Sequence, residues 1–343
     1  MDSTPDLRAV RCGAAPRDPA ASPLGATPPV KQLFDYVLGY LREDFHLGYY
    51  TAIALFLLVA FALNFAIDFK LAILNPTIRK PLGIVYFCLF YGCAYYFAAF
   101  AWAAFHRDTR LLRSRVFWAV SAFVIVAMAL DNYSTNLPRL AVAALGLPEP
   151  VQYWARMCLF NLDRMVAIAL PVLLFRRCFD RLPGAFYGLH WRGFDWRPYA
   201  FMLLVMVPLI AWASFRPAFL ATYPSYRAGT AEAFLGASAV ATVGLYEVTY
   251  ALRYVAIELF FRGLLVLGLE KHLGRAALMP MVTLYAFWHF GKPVPEAMGA
   301  IVAGYVLGVF ALRTRSIIGG VIVHVGVAVA MDLAAYAQGA FGR

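Results

Sequence analysis

Apolar residues run along this chain in long blocks, separated by short connections that carry most of the charge. Residues 47–67 contain no charged side chain until they end, and residues 81–105 repeat the pattern. Blocks at 116–130, 199–215, 234–269, 276–290, 297–312 and 316–336 complete a set of eight. A ninth, weaker block at 154–175 is interrupted by Asp163 and Arg164. A helix rises 1.5 Å per residue, so about 20 apolar residues match the roughly 30 Å hydrocarbon core of a bilayer. The pattern predicts an all-α fold, a polytopic transmembrane helical bundle of eight to nine spans.

Composition agrees. Hydrophobic residues make up 62% of the chain and charged residues 14%, and the mean hydropathy is +0.68; a soluble globular domain has a different balance. The net charge of +11 sits mainly in connections, so it reads as the positive-inside signal of a membrane protein rather than a nucleic-acid footprint. Arg107, Arg110, Arg113 and Arg115 crowd one connection; Arg176, Arg177, Arg181, Arg192 and Arg197 crowd another. Lys271 with Arg275, and Arg313 with Arg315, mark two more. With nine spans all four fall on one side together with the N-terminus. A cytoplasmic N-terminus in a multi-pass cell-membrane protein follows, and the Ala/Pro-rich start points to a bacterial inner membrane. Lys70, Arg79 and Lys80 fall on the opposite side in this scheme.

Residues 1–32 read as a disordered cytoplasmic arm, because the Ala/Pro-rich start has no apolar periodicity. The first apolar block starts too late and runs too long to be a cleavable signal sequence. Residues 33–178 form a set of N-terminal transmembrane helices, and residues 179–343 form a second half in which the polar intramembrane groups gather. The five cysteines (Cys12, Cys88, Cys93, Cys158, Cys178) contain no C-x-x-C pair, which argues against a disulfide framework and a thiolate zinc site.

The chemistry lies in the second half. Glu258 and Arg262 stand four residues apart in an apolar helix, and each ionised group at the centre of a membrane helix costs roughly 2.5–3.5 kcal/mol on insertion scales. That spacing places both on one helix face, so a structural ion pair is the plain reading. Four of the six histidines lie in or beside polar connections; His289 and His324 alone lie within apolar blocks. Measured from the nearest basic connection, Glu258, His289 and His324 lie about 19, 21 and 13 Å deep. Compatible depths for two histidines and an ion pair favour a site over independent structural roles. Of the remaining polar groups, Glu247 and Arg253 read as structural, Asp163–Arg164 as a self-paired or interfacial pair, and Lys292 with Glu296 as a solvated turn.

The order Glu258-x-x-x-Arg262-Gly263, then Tyr285-x-x-x-His289, then His324 in the last block, resembles the CPBP intramembrane protease family. That family includes the type II CAAX prenyl proteases and the bacteriocin-processing and immunity proteins. Its pattern is two adjacent glutamates followed by three residues and an arginine, then F-x-x-x-H, then H-x-x-x-N or D. The segment from Phe186 to Trp191 resembles the lead-in to that core, and the likeness covers roughly residues 186–331. Two positions depart: Ile257 stands where the family has its first glutamate, and Ala328 where it has the asparagine. The resemblance implies that a glutamate activates water, the first histidine helps orient it, and the second histidine with the asparagine stabilises the oxyanion. Asp332, two turns beyond His324, is a candidate substitute for the missing amide.

The resemblance therefore implies an intramembrane endopeptidase with Glu258, Arg262, His289 and His324 as site residues, acting on a membrane-associated protein or peptide. Glu258, His289 and His324 also make a possible zinc set. A metal-free site is preferred, since a glutamate that both ligates a metal and pairs with Arg262 is compromised; no cofactor is assigned. Two other readings stay open: a catalytically impaired homologue that binds membrane proteins as an adaptor or immunity factor, and a transporter. Against the transporter, the halves show no repeat and no matched pair of broken helices. Nothing in the sequence assigns nucleic acid as a partner or fixes an oligomeric state.

Overall fold

Each apolar block folds as helix, and the blocks differ in how far they carry. The computed structural model describes residues 28–178 and 186–341, and no strand occurs among them. Its main helices are α1 (Pro29–Asp44), α2 (Leu47–Ile67), α3 (Pro81–Phe105), α4 (Arg115–Ser134), α5 (Glu149–Cys178), α6 (Arg197–Ser214), α7 (Ala239–Glu258), α8 (Leu278–Trp288), α9 (Val294–Thr314) and α10 (Ile318–Phe341). Local chemistry marks the starts. Proline opens α1 and α3, where its missing N–H costs nothing, and Ser114 and Ser238 accept from the first-turn N–H groups of α4 and α7. Most of the arm expected over residues 1–32 lies outside the described residues, as do Cys12 and Arg181; residues 29–32 are the first turn of α1.

Among the described residues, seven helices are long and apolar enough to cross a membrane: α2 to α6, α9 and α10. The block at 234–269 is a composite, in which α7 runs directly into a π-helix (Leu259–Gly268) and then a short helix (Leu269–Leu273). The block at 276–290 departs from expectation. Its helix α8 has 11 residues, about 16 Å of rise, half the hydrocarbon thickness. The eight to nine expected spans thus resolve into seven single helices, one composite run and one helix that stops inside the bundle. It stops because Gly291 takes φ +87°, a conformation that glycine adopts freely, and because Pro293 follows as the N-cap of α9.

Every residue from Leu278 to Phe287 is buried. A helix apolar on all sides belongs at the centre of a bundle, and α8 packs between α3 and α9 with the π-helix against it. The Thr283 hydroxyl donates to Ala94 O at 3.0 Å and fixes α8 to α3. Outward-facing Leu55, Leu58, Leu63, Leu89, Leu204 and Val207 are more than half exposed and form part of a surface suited to lipid.

Asp163 and Arg164 do not pair with each other. Arg164 Nη1 reaches Asp131 Oδ2 on α4 at 2.6 Å, while Asp163 accepts from the Ser134 hydroxyl at 3.0 Å. Adjacent helical residues point about 100° apart, so two cross-helix contacts replace the self-pair. Farther along the α5–α7 seam, Asn161 donates to Thr249 Oγ1 and Trp154 to Thr242 O, polar bonds of the kind that hold membrane helices together. At one end of the bundle, outside the spans, α1 lays Leu33, Tyr36 and Val37 against Tyr199, Leu307 and Phe310. Its last residue, Asp44, is buried and accepts from the Tyr50 hydroxyl at 2.7 Å. Burial pushes its carboxyl up to about 6, against the opposing effects of the Tyr50 bond and the Arg275 charge.

Two measurements check these packing arguments. Arg164→Met leaves Asp131 as an uncompensated buried charge and is expected to cost about 3–5 kcal/mol of unfolding free energy in detergent, with Asp131→Leu in the same chain restoring much of it. For Asp44 the folded carboxyl titrates above its ordinary value, so the folded state holds the proton more tightly. Its stabilising effect is full below the ordinary value of 3.8 and is lost as pH rises through about 6. The melting temperature should fall across that window, and Asp44→Asn should flatten that part of the slope.

Candidate active site at the junction of α7, α8 and α10

The site begins where the helix carrying it changes pitch. Glu258 is the last residue of α7 and Arg262 lies in the first turn of the π-helix, a wider winding often found at functional positions. Tyr187 fixes this winding from outside: a Cβ on Gly263 would lie 3.1 Å from the Tyr187 Cβ and carbonyl oxygen, and one on Gly268 3.0 Å from its ring. The same Phe186–Trp191 segment holds the start of α10. Ile317 N donates to Gly188 O at 2.9 Å, and the Ser316 hydroxyl donates to His190 O at 2.9 Å. The lead-in therefore sets α10 against the π-helix.

These contacts bring three of the predicted side chains into one bonded chain. Glu258 and Arg262 are both completely buried, with Arg262 Nη1 at 2.9 Å from Glu258 Oε1. His324 Nδ1 lies 2.8 Å from the same oxygen, and its Nε2 lies 3.0 Å from the Tyr285 hydroxyl. The Arg262 guanidinium also stacks on the Tyr285 ring at 4.4 Å, a favourable cation–π geometry. Gly320 leaves the room that the carboxylate needs, since a Cβ there would lie 2.3 Å from Glu258 Oε2. His289 joins through Tyr285: the two rings are 4.4 Å apart, and His289 Nδ1 lies 2.8 Å from Tyr285 O.

The partners assign the protons. A carboxylate and a carbonyl can only accept, so both histidines carry hydrogen on Nδ1. His324 Nε2 then accepts from the Tyr285 hydroxyl. His289 Nε2 keeps a free lone pair, and its ring is only partly buried. Arg262 keeps N–H groups that no hydrogen bond satisfies, because its close approach to Glu258 is an ion pair without hydrogen-bond alignment.

The structure corrects several expectations. Asp332 does not stand in for the missing amide near His324. Its Oδ1 accepts from Ser225 N at 2.8 Å and from the Ser225 hydroxyl at 3.1 Å, and the Glu247 carboxyl lies close enough for the two groups to interact electrostatically. Lys292 and Glu296 are not merely a solvated turn: they pair at 3.2 Å, Lys292 donates to the Tyr223 hydroxyl at 3.1 Å, and that hydroxyl donates to Glu296 at 2.9 Å. Ile257 and Ala328, the two departures from the motif, are both buried. The possible zinc ligands are arranged differently from a ligand set. Glu258 and His324 bond each other, His324 Nε2 is taken by tyrosine, and among the described residues no three His, Cys, Asp or Glu side chains are grouped to hold a metal ion.

Sequence reasoning placed Tyr285 only as the aromatic of the motif and missed its hydroxyl. A signal was present, because a buried tyrosine needs a partner for its O–H. The same signal applied to Tyr254, a buried tyrosine of the same apolar block as Glu258, whose ring lies 4.7 Å from that of His324.

Residues 233–330 match the family model of the type II CAAX prenyl endopeptidase Rce1-like proteins. The match includes Glu258, Arg262, Tyr285, His289 and His324 and supports the resemblance to the CPBP intramembrane proteases drawn from the motif residues. It leaves the Phe186–Trp191 lead-in and all the N-terminal helices outside. No curated protein and no solved structure matches the chain.

Gly320 offers a check on the carboxylate slot that needs no substrate. Gly320→Ala is expected to destabilise the folded protein by about 1–3 kcal/mol through overpacking. Gly339→Ala, on the same helix with nothing within 4 Å of the added Cβ, should be neutral or slightly stabilising. Thermal unfolding of both variants in one detergent makes the comparison.

Proposed function

Taking the Rce1-like domain at residues 233–330 as premise, we propose that this multi-pass membrane protein is an intramembrane endopeptidase. It hydrolyses a peptide bond in a membrane-associated protein or peptide, with its N-terminus on the cytoplasmic side and most of its basic connections beside it. The observation that carries this reading is the bonded series Arg262–Glu258–His324–Tyr285 with His289 at its open end.

The geometry favours a division of labour different from the one the motif implies. Glu258 has no exposed surface and its Oε1 already faces Arg262 and His324, so it acts as a positioning residue that fixes the ring of His324. His289 has the free Nε2 and is the general base. It takes a proton from water as the water oxygen attacks the scissile carbonyl carbon. The carbonyl π pair moves to oxygen, and the Tyr285 O–H turns from His324 Nε2 to donate to that oxyanion. His289 then delivers its proton to the amide nitrogen as the C–N bond breaks, leaving a carboxylic acid that keeps the second water proton and an amine, which takes that proton to give the carboxylate and ammonium products. Each proton that leaves water is accounted for.

The second reading, a homologue that binds membrane proteins without cutting them, rests on Ile257: an apolar, completely buried side chain replaces one of the two family glutamates. Purified protein with a quenched peptide library separates the two. Wild-type turnover is expected, with His289→Ala lowering kcat by roughly 10²–10⁴-fold, the usual loss for a general acid–base group, and His324→Ala also lowering it by releasing the Tyr285 hydroxyl from its partner. Glu258→Gln should lower it as well. Absence of turnover in wild type, with turnover gained in Ile257→Glu, would establish the binding reading instead.

A further inference from the structure

Nothing in the proposed chemistry uses Lys70, although its surroundings are unusual for a lysine. It lies between α2 and α3, in a short π-helical turn (Phe69–Leu74) far from the family match. The residue is buried at 8% exposure, and its ammonium donates to Trp288 O at 2.8 Å.

That carbonyl belongs to the last residue of α8, whose C-terminus falls inside the bundle. The final carbonyls of a helix have no partners within it, and one left bare in an apolar interior costs about 1–3 kcal/mol. Around this terminus each carbonyl has a donor. Tyr285 O faces His289 Nδ1; Ala286 O and Phe287 O take the backbone N–H groups of His289 and Phe290. His289 O takes Lys292 N. For Trp288 O the donor is a side chain from the other half of the protein.

The turn that brings Lys70 there is held on both sides. Asn64 Oδ1 on α2 accepts the Lys70 backbone N–H at 3.1 Å. Leu71 lies against Gly291, where an added Cβ would come within 3.0 Å of Leu71 Cδ2. An ammonium at a helix C-terminus also answers the partial negative charge gathered there. The peptide it holds is the one leading directly into His289.

We propose that Lys70 is a positioning residue for His289: by capping Trp288 O it fixes the turn that aims the free Nε2 of His289 beside Tyr285. The N-terminal helices thereby contribute directly to the site and are not only a lipid-facing shell. The proposal rests on the reading of His289 as the base, but its placement of His289 is testable without turnover.

The test uses the full chain in detergent with Lys70→Met, which keeps an unbranched side chain and removes the donor. Diethyl pyrocarbonate labelling, followed by peptide mass spectrometry, reads each histidine separately. His289 should change its labelling rate severalfold while His324 does not. In the peptide assay kcat should fall roughly 10–100-fold with KM held, as expected when a catalytic group is displaced by about an ångström. Asn64→Ala, which frees the Lys70 backbone while leaving the ammonium, should shift His289 labelling in the same direction by less. It carries the test if Lys70→Met fails to fold. Unchanged His289 labelling in a folded variant, or equal changes at both histidines, overturns the proposal. Should wild type cleave no peptide, the function reading fails while selective His289 labelling still upholds the placement.

Discussion

A carboxylate with no exposed surface must meet positive charge or hydrogen-bond donors, and Glu258 does so with one oxygen facing Arg262 and His324. Removing Arg262 strands a charge in an apolar interior, a penalty that commonly reaches several kcal/mol. The constraint reaches far into the fold. It requires α10 to approach α7 closely enough for Gly320 to touch the carboxylate, and the Phe186–Trp191 segment to hold α10 there. It also orients His324, whose ring nitrogen then accepts the tyrosine hydroxyl of the central helix.

The central helix answers a different demand. By ending inside the bundle, α8 places a helix terminus and a histidine where a full span would leave only buried backbone. The arrangement needs donors for the exposed carbonyls, and it obtains them from its own turn and from Lys70. Non-helical backbone at such depth is tolerated where protein surrounds it. The connections at residues 69–77 and 289–293 are therefore best understood as one packed unit drawn from both halves of the chain.

Much of the fold was legible in the sequence because hydrocarbon imposes it. Block length predicts spans, and the Glu258–Arg262 spacing predicts a shared face at any rotation of the helix. The weaker inferences concerned which side chain meets which across helices. Asp332 lies two turns beyond His324 on a suitable face, yet α10 turns it towards Ser225 and Glu247; no one-dimensional spacing contains that rotation. Asp163–Arg164 failed as a self-pair for the same reason. Lys70 stood out only as a charge on an unexpected side, since the turn carrying it packs against a loop more than two hundred residues away in sequence. The shortness of α8 was foreshadowed by Gly291 and Pro293, but their effect depended on where the preceding helix began.

Ile257 bears on the chemistry through what its neighbours already do. A single carboxylate is enough to orient a histidine, and Glu258 is held against His324 with Arg262 on one side and Gly320 on the other. A second carboxylate at position 257 would enter an apolar, completely buried environment, with roughly a 100° rotation separating it from the face that Arg262 occupies. It would need its own partner or a proton. The isoleucine is thus compatible with the proposed use of His289 for proton transfer, and the tyrosine at position 285 supplies a hydroxyl that the phenylalanine of the family motif lacks. One lost carboxylate beside Glu258 in the chain and one gained hydroxyl bonded to His324 describe a shift in how the site is built before they describe a loss of activity.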